Sequence, residues 1–118
     1  MSLHGGNKRL RPVEWLDQET QQRIEDFLQG SVYCWCKNRE GEWFGLRDLM
    51  GGVNFDWTDT PLYPLYEHYH DAGETSEKAV DLAGIDAGWI LKEVLADDPR
   101  RFETRRRAEH PREYKWKG

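Results

Sequence analysis

A chain of 118 residues with a formal net charge of −5 leaves room for one hydrophobic core and hardly for two. Its hydrophobic share of 37%, aromatic share of 13% and mean hydropathy of −0.93 make it too rich in rings for a disordered polymer and too polar for a membrane-embedded one. No run approaches the roughly 18 apolar residues of a spanning helix, and Lys8, Arg9 and Arg11 precede no apolar stretch of the kind a secretory signal needs. The chain is therefore read as cytoplasmic, with no membrane partner.

In chain order, Val13, Trp15 and Leu16 precede a polar stretch that leads to Ile24, Phe27 and Leu28 at i, i+3, i+4. This predicts an amphipathic helix with Asp17 as N-cap and Gly30 as its stop. The β-prone run Val32-Tyr33-Cys34-Trp35-Cys36, the polar turn Asn38 to Gly41 and the pair Trp43-Phe44 predict a β-hairpin near residues 32–45. Leu46 to Met50 reads as a short helix ended by Gly51 and Gly52. An aromatic loop over residues 53–60 leads into a helix opened by Thr60-Pro61, carrying Leu62, Leu65, Tyr66 and Tyr69 on one face and stopped by Gly73. Thr75 caps a further helix that Gly84 ends, and Asp86 caps another that closes at Asp98-Pro99. From Arg100 onward a partly helical, partly loose segment is expected. The reading is an α+β, mostly helical single domain of about four to five helices with one small β-hairpin. Residues 1–12 form a flexible N-terminal segment, residues 13–99 the globular domain and residues 100–118 a basic C-terminal extension.

Charge is unevenly spread: residues 1–53 carry a net −1, residues 54–98 a net −9 and residues 99–118 a net +5. An acidic body with a basic end suits an acidic partner or a nucleic acid at that end. Ala79, Ala83, Gly84, Ile85 and Ile90, followed by Leu95 and Asp98-Pro99, resemble the helix-turn-helix of repressors and phage terminase small subunits over residues 75–102. That resemblance implies nucleic-acid binding, with Arg100, Arg101, Arg105, Arg106 and Arg107 on phosphates. The recognition-helix positions, however, carry Asp86, Gly88, Lys92 and Glu93 rather than the Arg, Asn or Gln that read base edges.

Other constellations bear on metal chemistry and catalysis. Cys34 and Cys36 with His68, His70 and Asp71 offer metal-ligand types, but side chains two apart on a helix point about 200° apart, and no Cys-x-x-Cys spacing occurs. Asp48, Asp56 and Asp59 lie among aromatics as paired carboxylates would, while turn bonds explain Asp56 and Asp59 equally well. No phosphate loop, catalytic triad spacing or dinucleotide fingerprint is present, and no cofactor is expected. Six Trp and five Tyr exceed what a core of this size easily hides. The leading expectation is a non-catalytic binding or regulatory module. It would contact a protein partner, or a second copy of itself, through an aromatic and acidic surface built from Trp43, Phe44, Phe55, Asp56, Trp57, Tyr63 and Tyr66. A nucleic-acid binder using the basic end is the alternative, and a small metal-dependent enzyme the next.

Overall fold

A computed structural model of the chain describes residues 10–52, 56–108 and 110–117. Four helices, α1 (Gln18–Asn38), α2 (Leu46–Leu49), α3 (Tyr63–Asp71) and α4 (Ser76–Asp97), are followed by strands β1 (Phe102–Arg105) and β2 (Glu113–Trp116). The fold is α+β, mostly helical, with one two-stranded antiparallel hairpin. Among the described residues no helix is long and apolar enough to cross a membrane.

Asp17 caps α1 as its side-chain chemistry predicts: Oδ1 accepts the Thr20 N–H at 2.8 Å and Oδ2 accepts the Thr20 hydroxyl at 2.9 Å. These bonds hold the exposed carboxyl below its ordinary range. The helix then runs straight through Gly30 to Asn38, which corrects the expected hairpin at residues 32–45. Ile24, Leu28, Val32 and Cys36 are all buried at a spacing of four. Val32 and Cys36 thus complete a helical stripe, with Tyr33 exposed and Trp35 half-buried beside it, and the strand propensity of the run yields to that burial. Gly30 is exposed, with open space where a Cβ would lie, so it neither caps nor packs.

Thr75 opens α4 by accepting the Lys78 N–H at 3.2 Å, and here too the sequence expectation changes, because Gly84 does not end the helix. The buried residues Ala79, Ala83, Ala87, Ile90, Leu91, Val94 and Leu95 form one stripe across that position. Asp86, expected as a second N-cap, instead accepts the Tyr69 hydroxyl at 2.6 Å and the Trp15 indole N–H at 3.3 Å. The would-be helix-turn-helix is therefore a single helix of 22 residues, about 33 Å long. It packs against α1, α2 and α3.

The segment after Pro99, expected to be partly helical and partly loose, forms the sheet. Phe102 pairs with Trp116 and Arg105 with Glu113. Phe44 joins β2 through a single bridge to Tyr114, with N–H to O distances of 2.8 and 2.7 Å in the two directions. Phe44 and Phe102 are fully buried and meet edge to face at 6.1 Å, with Tyr114 beside them. Close approach of the hairpin explains Gly45, because a Cβ there would lie 3.1 Å from the Arg112 carbonyl oxygen. Just beyond it, Asp48 caps α2 by accepting the Gly45 N–H at 2.8 Å. Gly51 and Gly52 then end the helix at positive φ, as their sequence position predicts.

Candidate ligand cleft between α4 and the hairpin

The aromatic residues singled out from the sequence have separate surroundings. Phe44 is fully buried, which removes it from any surface; it is the ring on which the hairpin closes. Trp43 is half-buried beneath two cations, with the Arg105 guanidinium 4.1 Å and the Lys115 ammonium 5.0 Å from its ring centre. Tyr63 stacks on Tyr66 at 5.7 Å, and Tyr66 on His70 at 5.4 Å, along the outside of α3. Asp56 is exposed and accepts the Thr58 N–H at 2.8 Å in a local turn that lowers its pKa. Trp57 is half-buried against the core and lines the cleft described below. Phe55 lies outside the described residues.

The five basic-end arginines also divide. Arg100 grips Asp98 through two side-chain bonds of 3.0 and 2.8 Å, while its backbone N–H donates to the same carboxylate at 2.8 Å. Gln29 donates to Asp98 from α1 at 2.7 Å. Burial alone would raise the Asp98 pKa, but these donors outweigh it and hold the carboxyl below its ordinary range. Above Arg100 lie the Tyr33 ring at 4.3 Å and the Trp116 ring at 5.9 Å. Arg105 and Arg107 both donate to Glu113 at 2.9 Å, and they likewise outweigh its burial and lower its pKa. These three guanidinium groups are engaged within the chain. Arg101 is exposed, and Arg106 is exposed at the lip of the cleft.

That cleft, of about 600 Å³, lies between α4 on one side and α2, Trp57 and the loop joining β1 to β2 on the other. The volume is within the usual range for a ligand site. Its α4 wall presents Val80, Asp81, Gly84, Ile85, Gly88, Trp89, Leu91 and Lys92. Opposite stand Leu46, Arg47, Trp57, Arg106, His110, Pro111, Arg112 and Tyr114. Arg47 and Arg106 are exposed, and neither side chain makes an ion pair among the described residues. Arg112 is braced by a 3.0 Å bond from Nη1 to the Thr104 hydroxyl. Lys92 is buried, its ammonium 5.3 Å from the centre of the Trp89 ring. Among the described lining residues four cations thus surround an apolar and aromatic floor, with Asp81 as the carboxylate. Such a lining is electrostatically complementary to an anionic group that lies beside apolar surface.

Sequence reading named Trp57 and Arg106 but missed Arg47, Arg112, His110 and Trp89. Nothing local marks them, since they converge only when the hairpin folds back over α2 and α4. Among the described residues no group of three or more His, Cys, Asp or Glu is placed to hold a metal ion. His68 stacks on Trp15 at 3.6 Å and His70 on Tyr66, while Cys34 is exposed and Cys36 buried. Asp48 and Asp56 are engaged in local caps, and Asp59 sits in a turn at a φ of 64°. A second, more open groove runs along α1 and α2 past Phe27, Cys34, Trp35 and Leu49. Comparison with family models, curated proteins and solved structures finds no match to this chain.

Proposed function

We propose that the protein is a binding module that holds an acidic segment of a protein partner in the cleft between α4 and the hairpin. The observation that supports this reading is the convergence of Arg47, Arg106 and Arg112 on one apolar floor, in a chain whose net charge is −5. The expected contact moves from the aromatic and acidic residues Trp43, Phe44, Phe55, Asp56, Trp57, Tyr63 and Tyr66 to a basic cleft whose lining includes Trp57 from that set. A protein partner fits better than a nucleic acid for two reasons. Val80 and Ile85 on the α4 wall are each 54% exposed, offering apolar area to a side chain rather than to a phosphate. Arg100, Arg105 and Arg107, the arginines a phosphate backbone would need, already hold Asp98 and Glu113.

The test is fluorescence anisotropy of a labelled Glu-rich peptide and of labelled single- and double-stranded oligonucleotides, at low and physiological salt. Wild type is compared with the triple variant Arg47→Glu, Arg106→Glu, Arg112→Glu. Point changes are preferred to removal of residues 100–118, because Phe102 and Tyr114 belong to the core. Peptide binding that the triple variant weakens by about tenfold or more supports the reading. Oligonucleotide binding tighter than that of the peptide, or peptide binding indifferent to the three reversals, overturns it.

A further inference from the structure

We infer that the acidic segment is an amphipathic α-helix laid along α4, its apolar seam on Val80, Gly84, Ile85 and Gly88 and its carboxylates reaching Arg47, Arg106 and Arg112. This deepens the binding-module reading and rests on it. On α4 the wall residues recur at intervals of three and four, from Val80 through Gly84 and Gly88 to Lys92, so they form one face rather than a scattered set. That face is about 18 Å long, enough for roughly three turns of a second helix.

Charge and shape both favour a helix over an extended strand. The three arginines stand on the wall opposite α4, from α2 and the β1–β2 loop, so a helix resting on α4 would turn its flank toward them. An apolar seam beside one acidic flank is the pattern this geometry matches. Gly84 and Gly88 leave open space where Cβ atoms would lie, and neither adopts positive φ. The fold therefore does not require glycine at either position, although each costs a helix interior about 1 kcal/mol relative to alanine. Their effect is to lower the floor of the groove so that another backbone can approach closely.

The decisive experiment compares two labelled peptides of about 16 residues with identical composition. One carries a Leu and Ala seam at i, i+3, i+4, i+7 with Glu on its flanks; the other has the same residues in an order that destroys the seam. Each is titrated against wild type, the triple arginine reversal, and Gly84→Leu with Gly88→Leu, whose fold is checked by circular dichroism. The proposal expects the seamed peptide to bind about tenfold tighter than the scrambled one and to gain helical signal on binding. It also expects the leucine variant to lose that advantage. Equal binding of both peptides, still weakened by the arginine reversals, overturns the helical partner and leaves the acidic-segment reading standing. No binding of either peptide overturns both. Self-association of the chain that the arginine reversals abolish would give the groove to a second copy instead.

Discussion

Arg100 and Arg106 are separated by one short strand and behave oppositely. Arg100 is a clamp: its guanidinium is fixed by the buried Asp98, lies over Tyr33 and Trp116, and ties the end of α4 to α1 and the sheet. Arg106 is exposed at the lip of the cleft. The clustering of arginines in sequence therefore does not mark a site. What separates structural from available charge is whether a carboxylate is already in place, and Asp98 and Glu113 supply one for Arg100, Arg105 and Arg107.

The comparison breaks most visibly at Asp98. Asp98→Ala leaves Arg100 partly buried without its counter-charge and Gln29 without its acceptor, and should cost about 3 kcal/mol in urea unfolding. Acid should act on the same contacts. The pKa values of Asp98 and Glu113 are depressed in the folded chain, so their contribution is complete above the unfolded carboxylate range and is lost as pH falls through the folded values. Thermal stability should therefore decline below about pH 4, and Asp98→Asn should flatten that decline. At the cleft, Gly88→Ala should stabilise by about 0.5–1 kcal/mol, because it strengthens the helix and meets open space. The smallest expected change is Arg106→Ala, within about 0.5 kcal/mol of wild type in stability. It should nevertheless weaken acidic-peptide binding severalfold, whereas a comparable loss of stability would place Arg106 with the clamping arginines.

Much of the helical frame was legible in residue chemistry. Asp17 and Thr75 cap where their side chains predict, α2 ends at Gly51 and Gly52, and the face of α3 carries buried Leu65. The misreadings share a cause. Gly30 and Gly84 look like helix stops in sequence, but the periodicity passes through both, whereas Gly51, Gly52 and Gly73 take the positive φ of a C-terminal stop. The i+4 series Ile24, Leu28, Val32, Cys36 was present in the sequence as a counter-signal to the strand propensity of residues 32–36. The strands were obscured by charge: Phe102-Glu103-Thr104-Arg105 has no apolar alternation, and its Glu103 and Arg105 are compensated only once Lys115 and Glu113 lie opposite them. The cleft was least legible, because its basic wall draws on α2 and on the β1–β2 loop, which no sequence window spans.

The bridge between Phe44 and Tyr114 also bears on how the chain reaches its native state. A polypeptide synthesised from its N-terminus exposes the Phe44 ring long before β2 exists to cover it. Closing that contact joins segments far apart in sequence, the kind of step that slows folding. Helices α1 and α4 can assemble first, leaving an apolar opening that the hairpin seals last. During that interval the nascent chain is at its most vulnerable to aggregation.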